Sequence, residues 1–510
     1  MEKESRLIRF TKRLEKLGNK LPHPLLLSVF LLAALYLLSF ILAKAGVSVD
    51  YEQQGVIQHV SVVNLLSRES LRDVITGLTS IYQSNSVLPA IIIICMFTAV
   101  ANESGFFSAF LRRLISGVPA GVTTYILALC CLSTNIMSDA GILLAITLGA
   151  SIYKALGRDP WIGIMLGFSG FCTGFVAHVI PSNTNILNYT ITNASSAAYG
   201  VELNPLSTYY FEVAATFLAA LVLTFMCEKV LPRLFYGGKI LPVSSSEVRQ
   251  TELSPEEKRG LRVAGYGFLV FLALMLLLTV PPHAFFRNDD GTLLPKSPLI
   301  SSIVPLLSFL FLLLGVCYGK GSGTVHRAED VIKMMIQGVK NIATIIIVFF
   351  PISVLIYSFN HSNLQIVLAS LGERFFRSIG VSGLPLLYIF ILFLLCLTFF
   401  TYGGSIRWAI FAPLCVPLFL KLGIHPAMTQ AAYRIADSCG GAISPIYSAI
   451  PLILSYMEEN RDSSLHAEKP GIGTVLSVQL PMSAAMLLAL TALLTLFWLL
   501  GLPLGVGYTN

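Results

Sequence analysis

The chain has 510 residues, 55% of them hydrophobic and only 12% charged, with a mean hydropathy of +0.76. Soluble domains carry roughly 25% charged residues, so the composition excludes a soluble enzyme or a nucleic-acid-binding domain as the bulk of the molecule. The net charge of +7 is largely local: Lys3, Arg6, Arg9, Lys12, Arg13, Lys16 and Lys20 cluster at the start, a juxtamembrane basic segment of the kind retained on the cytoplasmic side.

That basic region is too long for a secretory signal, and the apolar run after it is longer than a signal's core. In chain order, the first span covers about 24–46, and a polar stretch on the outer face follows to about 84. Residues 88–100 form the next span, and 102–116, with Arg112 and Arg113, read as an interfacial helix on the inner face. Then come 118–132, a polar break at 133–139, a run at 141–156, a span at 161–180, a second break at 181–193 and a full span at 205–230. Runs of this length suit a hydrocarbon core of about 30 Å. The charged stretch 232–260, with Arg233, Lys239, Arg249, Lys258 and Arg259, divides the chain. Beyond it lie 262–281 and 298–318, joined by a polar turn at 287–291, and a loop with Lys320, Arg327 and Lys333. Runs at 341–358, 382–400, 406–422, 427–443 and 474–502 complete the series.

The expected organisation is a cytoplasmic basic N-terminus (1–23), a first membrane half (24–231), a cytoplasmic charged linker (232–261), a second membrane half (262–503) and a tail (504–510). Placing the basic stretches 1–22, 102–117, 232–260, 319–340 and 457–473 inside gives a consistent alternation only if two segments enter the membrane and return. The nine cysteines are scattered through apolar segments without a CxxC, so they read as small buried side chains. No Walker motif supports ATP hydrolysis, and no HExxH or Cys/His cluster suggests a metal enzyme.

Residues 401–451 break the pattern: they hold Arg407, Arg434, Asp437, several prolines and the pairs Gly403-Gly404 and Gly440-Gly441 between apolar helices. Such groups are tolerated in a bilayer where they are buried in protein or line a wet cavity. The stretch also has a counterpart. LGRDP at 156–160 matches LGIHP at 422–426, each with a small polar break upstream (138–141 and 403–405) and a second one downstream (174–185 and 437–451). Paired broken helices in two halves point to a secondary-transporter site near the midplane, because a helix that stops in mid-membrane leaves N–H or C=O groups able to bind a solute or an ion.

Several residues carry candidate chemistry. Asp139, beside Thr134, Asn135 and Ser138, and Asp437 are candidate intramembrane carboxylates for a proton or sodium relay, with a helix cap or a pair with Arg407 or Arg434 as the structural alternative. Arg434 and Asp437 are three apart on one helix face, so a direct pair is available to them. Ser405 and Trp408 could hold an aromatic substrate, or Trp408 could belong to an interfacial belt. Pro426, Pro445 and Pro451 end or kink helices. Ser182-Asn183-Thr184-Asn185 offers oxygens of the class sodium prefers, or is simply a turn. His178 reads as a satisfied buried histidine.

GNKLPHP at 18–24, SDAG at 138–141, GGSIRWAIFAPLCVPLF at 403–419, LGIHPA at 422–427, RIADS at 434–438 and LPLGVG at 502–507 together resemble the AbgT family of p-aminobenzoyl-glutamate transporters over nearly the whole chain. The resemblance implies an all-α polytopic fold with nine transmembrane helices and two re-entrant helical hairpins, built as an inverted repeat with an inner scaffold and a mobile outer core. It implies a homodimer in the bacterial inner membrane. It implies import of p-aminobenzoyl-glutamate or export of sulfonamide antimetabolites, coupled to protons or sodium, with no other cofactor. The family's important serine and tryptophan fall on Ser405 and Trp408, and its later proline, aspartate and proline on Pro426, Asp437 and Pro445. The substrate set expected here is therefore Ser405, Trp408, Pro426, Asp437, Pro445, Asn183 and Asn185, and the coupling-ion set Asp437, Asp139, Ser182 and Thr184. Where relatives carry an aspartate in the first half, this chain has Asn185, and His178 replaces an asparagine. An asparagine cannot hold a proton or a fixed charge. Channel and intramembrane-enzyme alternatives are weaker, since paired breaks favour alternating access and no nucleophile–base or metal set is evident.

Overall fold

The structure is a computed structural model that describes residues 24–53, 56–83, 87–115, 118–137, 140–236, 253–293, 297–398, 404–444, 447, 449–461 and 469–508. Its apolar runs are helices, as they must be where no water is available to backbone N–H and C=O groups. α1 (Pro24–Lys44) leads into a small antiparallel hairpin, β1 (Ser48–Gln53) on β2 (Val56–Ser61), with Ser48 opposite Ser61. The amphipathic α2 (Arg68–Gln83) precedes the apolar α3 (Val87–Glu103), and α4 (Phe106–Ile115) turns 60° away from α3. α5 (Ala120–Ser133) and α6 (Ala140–Ala155) form a first helical hairpin, with a 3-10 turn at Thr134–Met137 on the α5 side of the break. Gly141 permits the close return, since a Cβ there would collide with the Thr134 carbonyl. α7 (Pro160–Thr173), α8 (Asn183–Ser196) and α9 (Tyr209–Phe225) complete this half; α9 runs on through a π-turn at Met226–Val230 to Tyr236.

The second half opens with α10 (Pro255–Thr279) and α11 (Ile303–Ser322). It continues through α12 (Ala328–Asn341), α13 (Ala343–His361) and α14 (Leu364–Ser378). A second hairpin follows, α15 (Gly383–Thr398) and α16 (Gly404–Lys421), then α17 (Pro426–Ala442), α18 (Ile450–Glu459) and α19 (Ile472–Leu499).

The repeat read from LGxxP is built into these elements. Gly157 and Gly423 end the two hairpins with φ of 65° and 78°, values an L side chain rarely adopts. Two residues on, Asp159 caps α7 through the Trp161 N–H at 2.9 Å, and His425 Nδ1 accepts from the Ala427 N–H at 3.2 Å to start α17. Pro160 and Pro426 follow in the first turn, where a missing N–H costs nothing. The scaffold pairs in the same way: α1 and α2 pack on α13, as α11 and α12 pack on α3. α7 lies against both α5 and α6, and α17 against both α15 and α16.

Among the described residues five helices are long and apolar enough to cross a membrane, or up to eight if each bent pair is one span. The other cysteines are buried, while Cys317 is half-buried and Cys396 exposed; none is paired.

Four segments differ from the expectation. Most of 181–193, read as a break, belongs to the helix α8, eight of whose residues are buried: protein, not lipid, surrounds its polar side chains. The true break is shorter, between Thr173 and Ser182. α12 and α14 carry too much charge to register as apolar runs, yet both are amphipathic helices. The charged linker is also narrower than its composition suggests. Ser254 and Glu257 form a capping box with Pro255 in the first turn, so Lys258 and Arg259 already belong to α10; 237–252 lie outside the described residues.

Candidate functional site

α7 ends at Thr173, and its broken end leaves the Phe175 carbonyl outside any helix. A helix C-terminus carries unpaired carbonyls and partial negative charge. Arg434, from α17 in the other half, answers it. Its Nε donates to Phe175 O at 2.8 Å and its Nη2 donates to the same oxygen. Nη1 donates to Asn185 Oδ1 at 3.0 Å and to Glu212 Oε1. Glu212 sits on α9, where it also accepts from Thr208 Oγ1 at 2.6 Å and from Asn185 Nδ2 at 3.0 Å. His178 Nε2 lies 3.1 Å from Glu212 Oε2, and His178 Nδ1 lies 3.3 Å from the Gly174 carbonyl. His178, Glu212 and Arg434 are each 1% exposed. This first centre ties four parts of the chain: the α7 break, α8, α9 and α17.

One turn further along α17, a second centre joins it to the second hairpin. Arg407 Nη1 on α16 donates to Asp437 Oδ1 at 2.6 Å and to Thr398 Oγ1 at 3.1 Å. The packing is close because glycines make it so. A Cβ at Gly404 would strike the Asp437 carboxylate, and one at Gly440 would lie 2.6 Å from Thr398 Cβ. The Tyr433 hydroxyl donates to the Gly404 carbonyl. Trp408, wholly buried, stacks on Tyr433 with ring centroids 4.4 Å apart and donates from Nε1 to Thr192 Oγ1 on α8 at 2.8 Å. Trp408 is thus inside the protein and not in an interfacial belt.

Each pair is buried deeply enough that losing one partner strands a charge. A buried pair gains little over an apolar replacement, but removing one member costs about 3–5 kcal/mol. Unpaired polar atoms lie on the same elements: both amide atoms of Gln430 and the Ser438 hydroxyl on α17, and Asn188 Oδ1 on α8.

Of the expected residues, Asn185 and Asp437 enter the two centres, and Trp408 bridges α16 to α8. Ser405 begins α16 in a partly exposed position one turn before Trp408. Asn183 faces α3, with Nδ2 3.3 Å from Cys95 Sγ and Oδ1 accepting from Thr98 Oγ1 at 3.5 Å. Ser182 caps α8, its hydroxyl accepting from the Asn185 N–H at 3.3 Å, and Thr184 lies in the first turn. Pro426 opens α17, about 16 Å along the helix from Asp437 at 1.5 Å per residue. Asp139 and Pro445 lie outside the described residues. The Arg434–Asp437 pair that their spacing allows is not the bond formed: Asp437 takes Arg407, and Arg434 takes Glu212. Glu212 is absent from the expected set, though a carboxylate followed by the apolar run 213–227 is a signal.

The sequence profile described as "AbgT putative transporter family" matches residues 9–510. The chain is similar to the p-aminobenzoyl-glutamate transport protein of Escherichia coli (strain K12), 30% identical over 498 residues that cover 97% of this chain and 95% of that protein. Two solved structures share its fold. The YdaH transporter of Alcanivorax borkumensis, reported for an unusual topology, superposes with a TM-score of 0.86 at 25% identity, covering 95% of this chain and 100% of that one. MtrF of Neisseria gonorrhoeae, reported to illuminate a class of antimetabolite efflux pumps, gives a TM-score of 0.88 at 28% identity, covering 98% and 100%.

Proposed function

The chain belongs to the AbgT family of transporters, and we propose that it is a secondary active carrier of p-aminobenzoyl-glutamate or of related aromatic carboxylates and sulfonamide antimetabolites, working by alternating access coupled to protons or sodium. The observation that carries this reading is the pair of broken hairpins whose neighbouring helices meet at two buried ion pairs, Arg434–Glu212 and Arg407–Asp437. Ion pairs in such a place are costly, and helices that end in mid-membrane beside them suit a fixed site with moving walls. The ligand chemistry agrees. A benzoyl ring suits the Trp408–Tyr433 stack, and carboxylates suit guanidinium groups.

In this reading Ser405, Trp408, Pro426, Asp437, Pro445, Asn183 and Asn185 line the substrate path. Asp437, with Asp139, Ser182 and Thr184, serves the coupling cation. The protein works as a homodimer in the inner membrane with its basic N-terminus in the cytoplasm. A channel is the second reading, because broken helices also line pores; conductance far above carrier turnover would establish it. Uptake of p-aminobenzoyl-glutamate and of a sulfonamide into proteoliposomes, with proton and sodium gradients imposed separately, tests the carrier. Accumulation against the substrate gradient with one cation supports it, and none with either refutes it.

A further inference from the structure

Three atoms of the first centre form a triangle. Asn185 Nδ2 is 3.0 Å from His178 Nε2 and 3.0 Å from Glu212 Oε2, and the third edge, Nε2 to Oε2, is 3.1 Å. Arg434 donates to Asn185 Oδ1, which makes Nδ2 the donor corner of the triangle. Both ring nitrogens of His178 face acceptors, Nδ1 the Gly174 carbonyl at 3.3 Å and Nε2 the Glu212 carboxylate at 3.1 Å. A neutral ring carries one proton and donates to only one of them. With that proton on Nδ1, the single lone pair of Nε2 accepts from Asn185 Nδ2. A second proton, on Nε2, replaces that contact by a charge-assisted hydrogen bond to Glu212 Oε2. The ring therefore has room for one further proton.

The charge balance gives that proton a consequence. Without it Arg434 offsets Glu212, and Arg407 offsets Asp437. With it the centre carries one net positive charge, beside the helices that would receive an anionic substrate. The surroundings hold few competitors. α17 brings Asp437, Tyr433 and Cys439 beyond Arg434, and α16 brings Arg407. α7 brings Cys172, α5 brings Tyr125, Cys130 and Cys131, α8 brings Tyr189, α3 brings Cys95 and, at its far end, Glu103, and α19 brings no ionisable side chain. Tyr209, on α9 itself, gives its hydroxyl to the Val179 carbonyl at 3.0 Å.

We propose that His178 and Glu212 together hold a coupling proton on the edge between Nε2 and Oε2. The proposal rests on the carrier reading above and adds to it a second seat, for a proton, beside the set of Asp437, Asp139, Ser182 and Thr184. Protonation tightens the hold on a carboxylate substrate, so affinity rises as pH falls; deprotonation on the other side of the membrane loosens it.

The test is equilibrium binding of p-aminobenzoyl-glutamate to the purified full-length protein at about pH 5 and about pH 8, the interval in which histidine changes charge. Coupling of this kind is worth about 5- to 150-fold. Wild type should bind at least about fivefold more tightly at the lower pH. His178→Gln should flatten the difference, and wild-type pH dependence in that variant overturns the proposal. Should His178→Gln fail to assemble, Glu212→Gln and the double variant Asn185→Asp/Glu212→Gln decide. The single variant should lose the pH dependence, and the double variant should regain it by returning a carboxylate to Arg434 and His178. The reverse pattern, or no difference between the two, counts against the proposal. The 15N resonances of the His178 imidazole, followed without substrate, separate this question from the carrier reading. If p-aminobenzoyl-glutamate does not bind at all, that reading fails for this substrate. Titration of His178 that shifts in Glu212→Gln still supports the proton seat, and its absence overturns it.

Discussion

Gly440 and Gly441 are neighbours on α17 with opposite surroundings, and that contrast makes a sharp prediction. A Cβ at Gly440 would lie 2.6, 2.7 and 2.8 Å from Thr398 Cβ, Oγ1 and Cγ2, whereas a Cβ at Gly441 meets nothing within 4 Å. Carbon contacts settle near 3.5–4.0 Å, so Gly440→Ala must push the hairpin away by about 1 Å. Thr398 cannot rotate aside cheaply. Its hydroxyl donates to Leu394 O at 2.8 Å and accepts from Arg407 at 3.1 Å, and Arg407 in turn holds Asp437 at 2.6 Å. Overpacking costs about 1–3 kcal/mol, and a weakened hydrogen bond to a charged group adds about 1.5–3 kcal/mol. A total near 3 kcal/mol is about two powers of ten in the population of the docked hairpin. Gly441→Ala, in contrast, removes a flexible residue from the last turns of a helix and should be neutral or stabilising by up to about 1 kcal/mol. Thermal unfolding of both variants in detergent, read by intrinsic fluorescence and size-exclusion retention, measures the difference. Equal melting temperatures for the two would refute the docking described here.

Asp437→Ala should abolish cation-coupled flux while the chain still inserts and dimerises, because Arg407 is left without its carboxylate; wild-type flux in proteoliposomes would remove Asp437 from the coupling machinery. Trp408→Ala should weaken p-aminobenzoyl-glutamate binding by about 0.5–1.5 kcal/mol, the worth of one aromatic pair, and unchanged affinity by calorimetry would make Trp408 a packing residue that ties α16 to α8. Asp159→Ala removes the cap of α7 and should cost about 1 kcal/mol, seen as a lower melting temperature. Arg112→Ala breaks the half-buried pair that links α4 to Glu257 on α10 and should cost no more than about 1 kcal/mol; a larger loss would show that α4 anchors the second half.

How much of this is legible in the sequence depends on where the signal lies. The LGxxP repeat survives folding because each of its residues has a local role. The glycine takes positive φ, the next-to-last residue caps and the proline opens the helix. Those roles need no tertiary contact, so spacing reveals them. Asp437 stands out for a related reason, as a carboxylate in an apolar setting beside two arginines. Glu212 is just as unusual, but it lies inside a full-length span, and nothing near it in the chain hints at Arg434, 222 residues away. α8 reads as a break because hydropathy assumes lipid around a helix, while Asn185, Asn188 and Thr192 are wrapped by protein. The choice of partners is the least legible feature. Arg434 and Asp437 have ideal spacing for each other, yet the Phe175 carbonyl, Asn185 and Glu212 offer Arg434 more acceptors than one carboxylate can.

The most direct measurement is accumulation of radiolabelled p-aminobenzoyl-glutamate in proteoliposomes of the full chain, with proton and sodium gradients imposed one at a time. Carrier function with the proton seat at His178 and Glu212 predicts uphill accumulation driven by the proton gradient and collapsed by a protonophore. Substrate movement that only equilibrates, whichever gradient is imposed, would contradict it.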